Sequence, residues 1–252
     1  MFTVPAVRTA VTAAALVVLG AGTLRAQRTM DTTLAVRANA RFSLSNMSGN
    51  ITVNPWNRSQ IRIQAESEGA RVEVSESPSG VSVRTSSRGS HGDVEFIISV
   101  PVGTALELHG MSSDVDVTRV CGQVDINTLS GDIQVDCVEG GAQIESSDVT
   151  AEVVSGDVEY TGRILDNGRY KLSAHSGDVT VRTPGSPSAT VSIETFSGDF
   201  ESDFQIALVP GQHLSSKNYE FRLGSGSARV QLSSFSGTIA LRRMGAGGPR
   251  EE

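Results

Sequence analysis

Apolar and polar residues alternate in short runs along most of the chain. The run Val124-Asp125-Ile126 precedes one turn, and the run Ile133-Gln134-Val135 follows it. Alternation with a period of about two predicts β-strands that bury one face. After the first 26 residues, no stretch combines an apolar period of about 3.6 residues with helix caps. The pattern therefore predicts an all-β chain of short strands.

One short motif recurs between these runs: Ser-Gly-Asp followed by an apolar residue. Full copies begin at Ser130, Ser155, Ser176 and Ser197, and looser copies begin at Ser48, Ser112, Ser146 and Ser236. A residue type that returns at one place in successive units is typical of a repeat fold. Similar turns that stack on one another favour a β-solenoid, or β-helix-like repeat, with a continuous core. The irregular steps between copies leave a β-sandwich as the alternative.

We predict that the motif has a structural role. Gly can adopt the positive φ of a tight corner, and Ser and Asp side chains can bond to nearby backbone N–H groups. An apolar residue then begins the next inward-facing strand. The predicted turn residues are Gly49, Asp114, Gly131, Asp132, Gly156, Asp157, Gly177, Asp178, Gly198, Asp199 and Gly237.

A calcium-stabilised repeat is one alternative interpretation of the same turns. Carboxylates stacked about 4.8 Å apart would repel, and a hard cation would relieve the repulsion. Such a protein should melt at a lower temperature in the presence of a chelator. The copies lack the glycine spacing of the calcium-binding nonapeptide, however. We therefore predict no metal site and no cofactor.

A polysaccharide-active β-helix enzyme is a second alternative. Acid pairs exist (Asp114 with Asp116, Asp132 with Asp136), but a chain with 28 acidic residues produces such pairs by chance. The aromatic content is 5%, which is low for a surface of sugar-stacking platforms. The chain contains neither a metal-type histidine spacing nor a G-x-S-x-G nucleophile turn. We predict no catalytic residues.

The chain divides into five segments by composition. Residues 1–26 resemble a signal peptide, with Arg8 ahead of an apolar run and small residues leading to Ala26. Residues 27–40 are a linker or first edge strand, and residues 41–110 are an N-terminal β region. Residues 111–244 hold the dense Ser-Gly-Asp repeats and continue that region. Residues 245–252 are Gly-rich and charged, and we predict a disordered tail.

Net charge and cysteine content limit the classes of binding partner and the covalent links that the chain can have. The net charge of −7 disfavours binding to nucleic acid or to anionic membranes, which requires a basic face. The two cysteines, Cys121 and Cys137, could form one disulfide in an exported protein. Aligning the units places Cys137 opposite Arg119, an offset of two residues. A disulfide and two separate buried thiols therefore both stay open.

The motifs together resemble a bacterial family of putative adhesins, a domain of unknown function with predicted β-solenoid architecture. The resemblance rests on Ser48-Gly49-Asn50-Ile51 followed by Trp56, on Val100-Pro101-Val102-Gly103, and on the Ser-Gly-Asp series. It covers about residues 34–242 and brings no established catalytic residue.

The resemblance implies an exported, non-catalytic β-repeat protein in the periplasm, the cell envelope or the extracellular space. We expect an adhesin-like scaffold or binding module. Its partner would be an envelope polysaccharide or a protein, bound by outward strand side chains and by loops such as 203–218. Open solenoid ends could also pair into homo-oligomers.

Overall fold

A computed structural model describes residues 28–244, except 38, 68, 87–91, 121, 138–147 and 209–217. These residues form nineteen strands of one sheet and no helix. The strands are β1 (Arg28–Ala35), β2 (Arg41–Trp56), β3 (Gln60–Ser67), β4 (Arg71–Ser77), β5 (Gly80–Ser86), β6 (Val94–Pro101), β7 (Ala105–Thr118), β8 (Gln123–Ser130), β9 (Ile133–Cys137), β10 (Asp148–Ser155), β11 (Val158–Gly162), β12 (Arg169–Ser176), β13 (Val179–Pro184), β14 (Ala189–Ser197), β15 (Phe200–Ser202), β16 (Ala207–Leu208), β17 (Asn218–Leu223), β18 (Ala228–Ser236) and β19 (Ile239–Met244).

The strands bury the apolar positions that the alternation predicts. In β8, Val124 and Ile126 are buried, whereas Asp125 and Asn127 lie on the outer face and are only half-buried. Successive side chains of a strand point to opposite faces, so one face meets the core and the other meets water. The period of two in the sequence thus fixes which face of each strand is inside.

Each repeat is a bent pair of strands, which we call a coil. A coil consists of a first-arm strand, a corner and a second-arm strand, as in β8–β9, β10–β11, β12–β13, β14–β15 and β18–β19. In β2 and β7 one long strand runs through the corner, and β5 and β6 supply the two arms of a further coil. Neighbouring coils pair in parallel and in register in both arms, for example Val124 with Val149 and Ile133 with Val158. The predicted all-β, β-solenoid-like architecture is confirmed.

The order of coils in space differs from their order in the chain at both ends. The stack runs β5–β6, β2, β7, β8–β9, β10–β11, β12–β13, β18–β19, β14–β15. Thus β2 lies nearer to the middle of the stack than β5–β6, and β18–β19 lies nearer to the middle than β14–β15. The last of the described strands therefore occupy an internal place in the stack.

Antiparallel strands extend the parallel array at its ends. β4 pairs with β5, β1 and β6 both pair with β3, and β17 pairs with β14 and β16. Such strands use backbone N–H and C=O groups that a terminal parallel strand would leave open.

The core lies between the two arms, where matching positions of successive coils form buried columns. One column from each arm illustrates this: Leu108, Ile126, Ala151, Leu172 and Leu232 from the first, and Val117, Val135, Tyr160, Val181 and Leu241 from the second. Full burial of one such large side chain contributes about 1.5–3 kcal/mol. Among the described residues, no helix is long and apolar enough to cross a membrane.

Candidate functional site

The Ser-Gly-Asp motifs form the corners, except for the looser copy at Ser146, whose Asp148 and Val149 begin the first-arm strand β10. Successive corners are hydrogen-bonded to one another. The Gly131 N–H donates to the Ser155 carbonyl (3.0 Å), and the Ile133 N–H donates to the Asp157 carbonyl (2.8 Å). In the opposite direction, the Asp157 N–H donates to Asp132 Oδ1 (2.8 Å). Three bonds therefore join two successive corners, and one of them uses a side chain.

The carboxylate contact repeats along the stack as a chain of caps. Asp114 Oδ1 accepts from the Asp132 N–H (2.9 Å), and Asp157 Oδ1 accepts from the Asp178 N–H (2.7 Å). Asp178 Oδ1 in turn accepts from the Thr238 N–H at 2.7 Å. Each of these aspartates thus bonds to a backbone group of the neighbouring coil rather than of its own turn.

The corner glycines have two separate reasons to lack a side chain. Gly177 has a φ of 147°, and a Cβ there would lie 2.0 Å from the Gly156 carbonyl oxygen. Gly198 does not have a positive φ, so the prediction from backbone conformation does not apply to it. A Cβ on Gly198 would instead lie 1.9 Å from the Gly237 carbonyl oxygen. Close approach of stacked backbones explains both positions.

The remaining predicted residues lie in the same corner row. Gly49 aligns with Ser113, and Asn50 aligns with Asp114. Within the described part of the chain, no three His, Cys, Asp or Glu side chains are grouped so as to hold a metal ion. The carboxylate oxygens whose bonds are described above are already engaged by backbone N–H groups.

Cys137 ends β9 and is disulfide-bonded. Its Cα lies opposite Gly162 of the next coil. The chain's other cysteine, Cys121, lies outside the described residues, so the pairing stays a prediction.

Two of the chain's four histidines, His109 and His175, lie in the described residues, three coils apart on the first arm. His109 Nε2 lies 3.2 Å from Glu107 Oε1, and the His175 ring stacks on that of Phe235. His91 and His213 lie outside the described residues.

A feature that the sequence analysis missed lies directly before each corner. One outward position of the first arm is exposed in seven successive coils, and six of its seven residues are apolar. We call this column the exposed ladder: Met47, Met111, Leu129, Val154, His175, Phe235 and Phe196. Leu129 is 51% exposed and Phe196 is 56% exposed. Single exposed apolar residues are common on protein surfaces, but a column of them is a candidate interaction site.

Three rings of the exposed ladder stack face to face. The centroids of His175 and Phe235 are 4.7 Å apart with planes at 16°, and those of Phe235 and Phe196 are 4.6 Å apart with planes at 4°. Both faces of the Phe235 ring are therefore covered, and its edge is turned to solvent.

A groove of about 850 Å³ runs beside the exposed ladder on the first arm. Leu129, Val154, His175, Phe235 and Phe196 form its apolar wall. The buried residues Thr128, Val153, Ala174, Ser234 and Thr195 form its floor, and the opposite wall contains His109, Asn127, Glu152, Ser173, Ser233 and Glu194. The groove can thus offer an apolar contact on one side and hydrogen-bonding groups on the other.

Carboxylates border the exposed ladder on both sides. The exposed side chains of Asp114, Asp132, Asp157, Asp178 and Asp199 follow it at the corners. Glu152 and Glu194 lie across the groove, where Glu152 pairs with Lys171. The surroundings of the exposed ladder are therefore acidic.

The signal for this column was present in the sequence. The residue before the Ser of each motif is apolar in six copies, as in Leu129-Ser130, Val154-Ser155 and Phe235-Ser236. The alternation places this residue on the outer face, where a polar residue is expected. An apolar residue that recurs at an outward position distinguishes a candidate binding surface from an ordinary solvent-exposed face.

Comparison with known proteins supports the fold and gives a family. The sequence matches no curated protein. A putative cell adhesion protein from Clostridium sporogenes is similar in structure, with a TM-score of 0.55 and 12% identity over 86% of this chain and 100% of that chain. A putative adhesin from Bacteroides fragilis aligns with a TM-score of 0.37 and 11% identity over 87% of this chain and 100% of that chain.

The family model described as Toastrack DUF4097 matches residues 26–242, which include every strand up to most of β19. This range contains the corners, the exposed ladder and the groove. The resemblance predicted from the motifs is confirmed: the chain belongs to the Toastrack DUF4097 family, a domain family of unknown function.

Proposed function

We propose that the protein is an exported, non-catalytic binding module of the cell envelope, and that the exposed ladder and its groove are its binding surface. The observation that carries the proposal is the exposed ladder itself. A solenoid needs apolar residues only on its inner faces. Six apolar residues at one outward position in seven coils have no role in the core, and burying them against a partner would release the water that covers them.

The similarity to other proteins supports a general class of function, namely binding, but no particular ligand. The Clostridium sporogenes protein is named a putative cell adhesion protein. A surface or envelope location and a role in binding rather than catalysis agree with that name, and we extend both to this chain as part of the proposal.

Export is the part of the proposal that residues 1–26 support. A positive residue ahead of a short apolar run, followed by small residues, is typical of a cleaved signal peptide. Fractionation of the producing cells, with the full chain and with a chain lacking residues 2–26, tests it. The full chain should be found outside the cytoplasm and the shortened chain inside. Equal distributions would contradict export.

A binding panel tests the proposed surface. The chain, purified after export, is presented to envelope polysaccharides and to polypeptides, and release of products is followed at the same time. Leu129→Ser combined with Phe235→Ser should abolish saturable binding to the ligand found. Ile97→Ser is the matched control, because Ile97 is 51% exposed but lies on β6 in the second arm. Binding that survives the double substitution would reject this surface, and turnover would revive the polysaccharide-active enzyme.

A further inference from the structure

We infer that the exposed ladder receives a cationic amphipathic helix from a partner protein. This inference rests on the proposed function, since it names the class of partner for the same surface. Three properties of the surface lead to it: the stacking of its rings, its spacing and its charge.

The stacked rings favour a polypeptide over a sugar. Sugar recognition by aromatic residues uses an open ring face, but Phe235 is covered on one face by His175 and on the other by Phe196. What Phe235 presents to solvent is a ring edge, and beyond His175 the exposed ladder continues with the aliphatic side chains of Val154 and Leu129. Such a surface suits the methyl and methylene groups of apolar side chains.

The spacing of the exposed ladder fits a helix better than an extended chain. Neighbouring coils are about 4.8 Å apart, so seven coils span about 29 Å, the length of a helix of about 19 residues. A helix presents apolar side chains on one face about every 5.4 Å. Over about four coils, these side chains stay within half a coil spacing of the ladder residues. An extended chain presents them about every 6.8 Å and loses register after about one coil.

The negative charge around the exposed ladder favours basic residues on both sides of the apolar face of the partner helix. Asp114, Asp132 and Asp157 each follow a ladder residue by three positions, within about 10 Å along the chain. Across the groove, Glu194 adds a further carboxylate. Lys or Arg residues beside the apolar face of the helix would lie close to these groups, within about one Debye length at physiological salt. Complementary charge also speeds association and rejects acidic segments.

Three synthetic peptides of 18 residues provide the probe. The first places Leu on one helical face and Lys on the other, the second replaces every Lys with Glu, and the third scrambles the first. Affinity for the full exported chain is measured by calorimetry or fluorescence anisotropy at low and physiological salt. The Leu/Lys peptide should bind saturably, and the other two should bind at least about tenfold more weakly.

Two sets of protein variants separate the apolar and the charged contributions. Phe196→Ser with Phe235→Ser should weaken the Leu/Lys peptide by about tenfold or more, whereas Ile97→Ser should not change its affinity. Asp132→Asn with Asp157→Asn removes two charges but keeps an Oδ1 acceptor for the corner N–H groups. This pair should weaken binding several-fold at low salt and flatten its salt dependence. Circular dichroism and melting curves confirm that each variant is folded.

Equal affinity for the Lys and Glu peptides, or binding that ignores the Phe196 and Phe235 substitutions, would overturn the inference. If the peptides fail but a glycan or another protein binds through the exposed ladder, the binding surface stands and the helix is rejected. If no ligand depends on the exposed ladder, the proposed function falls with it.

Discussion

At the scale of single residues, the corner aspartates act between coils. Asp157 Oδ1 accepts the Asp178 N–H at 2.7 Å, and the same contact recurs at Asp114, Asp132 and Asp178. A repeated carboxylate therefore need not signal a bound cation, because its oxygen has a fixed backbone partner. The stack itself explains why the same residue type recurs.

Replacing Asp157 tests this role. Asp157→Ala leaves the Asp178 N–H without its acceptor and should lower the free energy of unfolding by about 1 kcal/mol. Asp157→Asn keeps an acceptor oxygen and should lose much less. Urea titration of both variants measures the difference. Equal losses for Ala and Asn would mean that the negative charge, rather than the hydrogen bond, is what matters.

Two buried threonines in equivalent positions give a second prediction. Thr128 Oγ1 donates to the carbonyls of Ser130 (2.9 Å) and Ser113 (3.3 Å), whereas Thr195 Oγ1 is buried and has no hydrogen-bond partner among the described residues. Thr195→Val should therefore raise stability by about 1 kcal/mol, and Thr128→Val should lower it by a similar amount. Thermal melts of the two variants compare them directly. A loss of stability in both would show that Thr195 Oγ1 is bonded in solution.

At the scale of elements, the inverted coil order gives the final strands an internal position. β18 lies between β12 and β14, and β19 lies between β13 and β15. A chain that ends at Ser227 should therefore lose cooperative unfolding, because β14 and β15 lose their parallel partners. A chain that ends at Met244 retains both strands and is the control. Cooperative urea unfolding of the shorter chain would contradict the inverted order.

The antiparallel pair β1–β3 carries an ion pair that should make stability depend on pH. Arg62 donates to Asp31 from Nε (2.9 Å) and Nη2 (2.5 Å), and these bonds lower the pKa of Asp31 despite partial burial. Because the pKa of Asp31 is lower in the folded than in the unfolded state, the ion pair stabilises the fold at pH values above the ordinary carboxyl pKa. This stabilisation is lost as the pH falls through the pKa of the folded state.

Asp31→Asn removes this contribution. It should cost less than about 1 kcal/mol near pH 7, since the pair is largely exposed. The difference from the natural chain should shrink below about pH 4. Urea midpoints at pH 7 and pH 3 measure it. A difference that grows on acidification would contradict the assignment.

The strands and the solenoid-like class follow from the sequence, but the order of coils does not. Alternation identifies Val124 and Ile126 as inward residues, and the Ser-Gly-Asp copies locate the corners. Successive coils, however, offer one another similar apolar columns and similar corner bonds, as from Ile133 to Asp157 and from Val179 to Thr238. Local pattern therefore cannot tell whether β12 stacks on β14 or on β18. The 30-residue step from Phe200 to Val230 looks like an inserted loop, whereas it includes the crossing that places β18 inside β14.

The exposed ladder was missed for a different reason. The repeated Ser-Gly-Asp identifies only the residues that form the corners. The residue before the Ser is Met, Leu, Val, His, Phe or Glu in the different copies, so the repeats do not share one residue type at this position. Only the register of the strands brings Phe235 between His175 and Phe196 and makes one surface of them.

At the scale of the whole molecule, the stack repeats one outward position at the spacing of a β-sheet. The inner faces and the corners account for the fold, and the exposed ladder is the apolar column that they do not use. An acidic chain with a net charge of −7 thus carries one long apolar strip bordered by carboxylates. This strip is the proposed binding surface for a partner.

Site-specific photo-crosslinking in the producing cells tests that claim most directly. A photoreactive phenylalanine analogue is placed at Leu129 in the exposed ladder and, in a second chain, at Ile97, which is equally exposed on the second arm. We expect a discrete adduct at Leu129 that disappears when Phe196→Ser and Phe235→Ser are added, and no such adduct at Ile97. The same adduct at both positions, or no adduct at Leu129, would contradict it.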